Sequence, residues 1–131
     1  MTRSVLDVLI IEDEPVLAKN IRAYLVRYGY DVRLAPTAEA GLSELEGFKP
    51  DVIVLDFNLP GMNGLEALSK IRAIDYRIKV LMMTAYGGTD LAAKAMRAGA
   101  SDFVTKPISV AKLKLKLDGI VIDARRDQGW S

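Results

Sequence analysis

The sequence predicts an α/β domain in which a doubly wound, five-stranded parallel sheet is covered by helices on both faces. Two observations predict it. The runs from Val5 to Ile11, Val52 to Leu55 and Val80 to Met83 are nearly continuous in apolar residues rather than alternating. Strands buried on both faces have that pattern. Amphipathic segments of helical length separate these runs from one another and from two weaker ones, Asp31 to Ala35 and Asp102 to Thr105. Strand and helix alternating along the chain imply right-handed crossovers between parallel strands.

Each helix has its own signals. From Pro15 to Tyr28, Leu17, Ile21, Tyr24, Leu25 and Tyr28 fall on one helical face. Pro15 suits a first turn and Gly29 a C-terminal stop. Thr37 can cap a second helix that runs to about Glu46 and ends at Gly47. Asn63 and Glu66 resemble a capping box ahead of Leu65, Leu68, Ile71 and Ile74. Thr89 or Asp90 opens a fourth helix through Ala98, closed by Gly99. Its small residues Ala92, Ala93, Ala95 and Ala98 mark its packing face poorly. The last segment is ambiguous. Lys112 to Leu117 alternates as a strand does, and Asp118-Gly119 ahead of Ile120-Val121-Ile122 would make a hairpin. Val110, Leu113, Leu117, Ile120, Val121 and Ala124 also form a helical stripe with Ser109 as its cap. A lone hairpin is marginal and the fifth strand needs a cover, so helix is the reading. It places Leu115 and Ile122 off the buried stripe, and Gly119 inside the helix at a cost of about 1 kcal/mol against Ala.

The chain has 131 residues, half of them apolar and 27% charged, which is one ordinary core. The expected domain covers residues 1–125, and 126–131 form a tail or the start of a linker. There is no internal repeat and no stretch near the ~18–20 apolar residues of a spanning helix. Met1-Thr2-Arg3-Ser4 leads straight into the first strand without a signal peptide's pattern. Lys and Arg total 18 against 17 Asp and Glu, a net charge of +1. That balance provides no global field for nucleic acid or an anionic membrane. With no Cys and no His, disulfides, thiolate or imidazole metal sites, cysteine nucleophiles and Ser-His-Asp triads are excluded.

Ligands of open parallel sheets bind at the carboxyl ends of the strands. Strand 1 ends in Ile11-Glu12-Asp13-Glu14, strand 3 in Leu55-Asp56-Phe57-Asn58, strand 4 in Met83-Thr84-Ala85 and strand 5 in Thr105-Lys106-Pro107. Strand 2 ends in Ala35-Pro36, with no ionisable group. If strands 1 and 3 are neighbours, Glu12, Asp13 and Asp56 converge. Two like charges about 4 Å apart repel by roughly 4 kcal/mol at an effective dielectric near 20. Three of them call for a cation or shifted pKa values. Oxygen donors without His or Cys point to Mg²⁺. Lys106 adds an ammonium and Thr84 a hydroxyl, completing a site suited to a phosphoryl group, with Asp56 as the nucleophile. Taken singly, Asp13 and Thr84 read as ordinary cap or turn residues and Lys106 as an exposed one. Asp56, at the end of a buried strand, does not.

These residues resemble the receiver domains of two-component response regulators. The resemblance runs from the first strand to about Leu117. It rests on Glu12-Asp13, on Asp56 within Val54-Leu55-Asp56-Phe57-Asn58-Leu59-Pro60-Gly61-Met62-Asn63-Gly64, on Thr84-Ala85, and on Gly99-Ala100-Ser101-Asp102-Phe103-Val104-Thr105-Lys106-Pro107. It implies a flavodoxin-like strand order of 2-1-3-4-5. It implies Asp56 as phosphoacceptor, Asp13 as a direct Mg²⁺ ligand, Glu12 as one acting through water, and the Asn58 backbone carbonyl as a third. Lys106 would pair with Asp56 or with phosphoryl oxygens, before a proline that this family can hold in cis. Thr84 and Phe103 would be the switch pair. The donor would be a phosphohistidine on a sensor histidine kinase. The helix 4, strand 5 and helix 5 face would carry the output, transcription being the expected one, and a possible homodimer contact. The implied protein is a cytoplasmic phosphoacceptor rather than an enzyme, with no membrane or direct nucleic-acid contact. Thr84 to Ala100 is most similar to receivers of nitrogen-regulator-type activators.

Three competing readings fare less well. A flavodoxin-type FMN site needs hydroxyls and N–H groups after strand 1, where Glu12-Asp13-Glu14 repels phosphate. A haloacid-dehalogenase-type phosphatase needs an acid at Asn58 and its motif on strand 1. A receiver-like interaction module that is never phosphorylated has no need of the intact set Asp13, Asp56, Thr84 and Lys106.

Overall fold

A computed structural model describes residues 6–85 and 89–127. In chain order the elements are β1 (Asp7–Ile11), α1 (Pro15–Arg27), β2 (Asp31–Ala35), α2 (Ala38–Glu44), β3 (Val52–Asp56), α3 (Gly64–Ile74), β4 (Lys79–Thr84), α4 (Thr89–Arg97), β5 (Asp102–Thr105) and α5 (Val110–Asp127). The strands form one sheet in the order β2-β1-β3-β4-β5, and every pairing is parallel.

Successive side chains of a strand point to opposite faces, and here both faces are covered. Val8, Ile10, Val52, Val54, Leu81 and Met83 pack against Ile21 and Leu25 of α1 and Leu113, Leu117 and Ile120 of α5. Leu9, Ile11, Ile53, Leu55, Val80 and Met82 face Ala38, Ala67, Leu68, Ile71 and Ala95 of the other three helices. This double burial is why the central strands read as unbroken apolar runs. The caps match the expected ones. Thr37 Oγ1 accepts the Ala40 N–H at 3.0 Å, Asn63 Oδ1 the Glu66 N–H at 2.9 Å, and Ser109 Oγ the Lys112 N–H at 3.3 Å.

The ambiguous last segment is one helix. Leu113, Leu117, Ile120 and Val121 are buried, while Leu115 and Ile122 are 72% and 53% exposed. A Cβ on Gly119 would meet nothing within 4 Å, so that glycine lies on the solvent side. α5 continues to Asp127, two residues beyond the expected boundary. Val5, where the first strand was expected to begin, and residues 128–131 of the expected tail lie outside the described residues. Tyr28 and Ile74, expected on buried stripes, are each 54% exposed. Both stand at the C-terminal ends of their helices.

The amino ends of the strands are tied by side chains that periodicity does not reveal. Arg72 of α3 donates to the Gly99 carbonyl from Nε and Nη2 at 3.1 and 2.8 Å, and to the Ile78 carbonyl from Nη1 at 2.6 Å. Gly99 has φ 108°, and a Cβ there would sit 2.9 Å from Arg72 Nε. On the other face, Asp118 of α5 accepts the Tyr30 hydroxyl and the Lys114 ammonium, the latter at 2.7 Å. Lys114 also lies over the Tyr28 ring, 4.7 Å from its centroid. Leaving a buried carbonyl unpaired costs about 1–3 kcal/mol. Arg72→Leu is therefore expected to lower the unfolding free energy by about 2–4 kcal/mol in urea titration. A loss below about 0.5 kcal/mol, the size of an ordinary surface change, would show that the guanidinium ties nothing.

Candidate functional site

The carboxyl ends of β1, β3, β4 and β5 meet at one end of the sheet. Ile11 is opposite Leu55 in the β1–β3 register, so Glu12 and Asp56 follow side by side. By the two-residue alternation both side chains share the face that carries Val8, Ile10, Val52 and Val54. Glu12 and Asp56 are 2% and 1% exposed, and Asp13 is exposed. One carboxylate oxygen from each of the three lies within 4.8 Å of the others.

Lys106 reaches this group from beyond β5. Its Nζ is 3.2 Å from Glu12 Oε1, 3.2 Å from Asp56 Oδ2 and 3.9 Å from Glu14 Oε2. The Lys106–Pro107 peptide is cis, as the family resemblance allows. The remaining oxygens of the buried pair bond the backbone, with Glu12 Oε2 accepting the Glu14 N–H at 2.9 Å and Asp56 Oδ1 the Asn58 N–H at 3.2 Å. The loop bearing Asn58 is held close to α3. A Cβ on Gly64 would fall 2.6 Å from Phe57 Cα and 2.8 Å from the Asp56 carbonyl oxygen.

Charge and burial set the protonation of the site. Burial raises the Glu12 carboxyl most. The Glu14 N–H opposes it, the charge of Asp56 adds to it, and the result is a shift from 4.5 to about 7. Burial disfavours the Lys106 ammonium, but Asp56 and Glu12 outweigh it and hold its pKa above the usual lysine value. Thr84, next along β4 from the Met83 that pairs with Asp56, is 1% exposed. Its Oγ1 is the one buried side-chain polar atom without a hydrogen-bond partner among the described residues. Phe103 of β5 is half-buried against the core, with Lys116 Nζ 5.6 Å from its ring centroid.

All the expected site residues except Phe103 thus stand at the carboxyl ends of the strands. Phe103 lies within β5, in register with Met82. Ala85 follows β4 and is half-buried. A single ammonium faces three carboxylates made of hard oxygen donors, and this set fits a divalent cation such as Mg²⁺.

The model of the response regulator receiver domain matches residues 8–118. The chain is a response regulator receiver domain. It is 34% identical over 114 residues to the probable transcriptional regulatory protein TcrX of Mycobacterium tuberculosis, covering 87% of this chain and 49% of that protein. It is 32% identical over 116 residues to the regulatory protein LuxO of Vibrio vulnificus, covering 88% of this chain and 26% of LuxO. The chain therefore spans about half the length of these relatives or less. Among solved structures, the CheY-like receiver from Methanospirillum hungatei superposes with a TM-score of 0.89 at 27% identity, over 95% of this receiver and 99% of that chain. No helix among the described residues is long and apolar enough to cross a membrane.

Two predictions follow from the protonation of this receiver's site and from its unbonded hydroxyl. The folded pKa of Glu12 lies above its ordinary value, so in metal-free protein the folded state binds more protons than the unfolded state between about pH 4.5 and 7. The contribution of Glu12 is complete below that window and is lost as pH rises through it. The stability difference between wild type and Glu12→Gln, measured by urea titration without divalent metal, should move against wild type from pH 4.5 to 8. A difference that stays flat would contradict the shift. Removing an unsatisfied buried hydroxyl is favourable, so Thr84→Val should stabilise the protein by about 1 kcal/mol. Destabilisation by a similar amount in thermal melts would mean that the hydroxyl already has a partner.

Proposed function

We propose that this receiver accepts a phosphoryl group from a partner histidine kinase onto Asp56, in a Mg²⁺-dependent reaction, and that the modification controls an output. The supporting observation is the buried Asp56 carboxylate with the Lys106 ammonium 3.2 Å away and the unbonded Thr84 hydroxyl on the neighbouring strand.

In this reading an Asp56 oxygen attacks phosphorus, the P–N bond of a phosphohistidine breaks, and the imidazole leaves with the bonding pair. The chain has no His, so the donor is another molecule. Asp13, Asp56 and the Asn58 carbonyl would hold Mg²⁺ directly, and Glu12 would hold it through water. When bound, the ion offsets negative charge on the carboxylates and on the transferred group. Lys106 moves from the carboxylate pair to the phosphoryl oxygens, and Thr84 Oγ1 donates to one of them, which satisfies its unused donor. The half-buried Ala85 leaves the donor room. Bound this way, the receiver is a phosphoacceptor that assists its own modification rather than an enzyme with a separate substrate.

Phosphorylation adds about −1.5 to −2 charge and three acceptor oxygens. Movement of Thr84 toward them opens space beside β5, which Phe103 fills. Phe103 has no hydroxyl, so it signals by packing alone. The face formed by α4, β5 and α5 then changes its affinity for partners or for a second copy, a population shift between two states of one fold. The expected setting is the cytoplasm, with transcription control as the output.

Incubation with acetyl phosphate and Mg²⁺ followed by intact-mass measurement is expected to show one added phosphoryl group. It should be absent from Asp56→Asn and strongly reduced in Asp13→Ala, whose Mg²⁺ affinity should collapse in parallel. No adduct on wild type, or one that survives Asp56→Asn, would refute the proposal.

A further inference from the structure

We propose that Trp130, in the segment that follows α5, docks into the hollow between the end of α1 and the middle turns of α5, at the amino end of the sheet. The proposal is independent of the phosphorylation reading above and concerns the opposite end of the domain.

The hollow holds about 260 Å³. Leu6, Tyr28, Tyr30, Val121 and Ile122 line it, together with Lys114 and Asp118. Its charged groups are matched to each other. Asp118 accepts the Lys114 ammonium at 2.7 Å and the Tyr30 hydroxyl as well. The two charges cancel, so the lining selects no ion. Apolar surface is what stays open, because Tyr28 and Ile122 are each more than half exposed. An aromatic or aliphatic side chain gains by covering such a surface, and a charged one loses its hydration there.

Reach and chemistry both favour Trp130 as the occupant. α5 ends at Asp127, five residues past Ile122, which is about 7.5 Å along the helix axis. Trp130 follows three residues later, and three extended residues span up to ~10 Å. Gly129 lies between them, and a glycine just past a helix end readily takes the left-handed conformation that turns a chain back. Lys114 Nζ is 4.7 Å from the Tyr28 ring centroid. An indole seated beside that ring offers the same ammonium a second π face, the best of the aromatic types for this contact. Asp118 keeps acceptor sites for the indole N–H, since a carboxylate has about four. Residues 1–5 adjoin Leu6 and are the competing occupant, but their apolar members, Met1 and Val5, bring neither a ring nor an indole N–H. Docked, Trp130 fixes the direction in which the chain leaves α5.

Trp130 is the one tryptophan of the chain, so its fluorescence tests this contact alone. Excited where tyrosine does not absorb, the full chain should emit to the blue of free N-acetyltryptophanamide and resist acrylamide quenching a few-fold better. Ile122→Asp places a charge in the hollow at an exposed position, and a thermal melt checks that it folds. It should return emission and quenching to the free values. Leu115→Asp, exposed on the same helix but outside the hollow, should change neither. Trp130→Ala should shift the methyl resonances of Leu6, Val121 and Ile122 by loss of the ring current. This last comparison leaves the hollow unaltered and decides the matter even where Ile122→Asp does not fold. Free-like emission from wild type, shielding that survives in folded Ile122→Asp, or methyl shifts confined elsewhere would overturn the proposal. So would shielding that grows with protein concentration alongside a dimer mass in light scattering, which would assign the hollow to a second copy.

Discussion

Two carboxylates, Glu12 and Asp56, are buried side by side, and one ammonium holds them. Much of the architecture exists to make that arrangement possible. Buried like charges at such separations repel by several kcal/mol unless a counter-charge is fixed between them. Lys106 provides it from the far side of β4, which requires β5 at the edge of the sheet and the turn after it directed back over the neighbouring strands. The parallel register places the acids level with each other, and the covering helices keep water from the inner one. Burial first, and the Asp56 charge with it, keep the Glu12 pKa raised. A divalent cation between the carboxylates would relieve their remaining repulsion.

The two ends of the sheet have opposite characters. The carboxyl end concentrates charge and an unbonded hydroxyl. The amino end is fastened. Arg72 joins α3 to the turns before β4 and β5, and Asp118 joins α5 to the start of β2. Stability and responsiveness are thus allotted to different ends of the same strands, so unsatisfied groups at the site need not loosen the whole domain.

Much of this was legible in the sequence. Unbroken apolar runs gave the doubly covered strands, and Thr37, Asn63 and Ser109 gave the caps. Asp56 stood out because a charged residue ends a run of four buried ones. The Lys112 to Leu117 stretch was not decisive, because alternation and helical periodicity coexist in it. The marginal stability of a lone hairpin and the need to cover β5 separated them, and the second is a tertiary requirement. The Arg72 ties, the Tyr30–Asp118 contact and the steric role of Gly64 left no periodic trace. They depend on where separate elements end in space, and no local pattern encodes that. The missing partner of Thr84 Oγ1 is likewise a property of the packed site, invisible in the residue type.

The fastening of α5 has a mechanical consequence. Asp118 fixes the middle of the helix to the start of β2, while the half that begins at Val110 borders the groove beside Phe103. Lys112 lies six residues from that anchor, about 9 Å along the axis at 1.5 Å per residue. Any tilt of the helix about Asp118 is therefore leverage. A change of about 5° at the pivot, acting over that arm, displaces the backbone at Lys112 by a little under 1 Å.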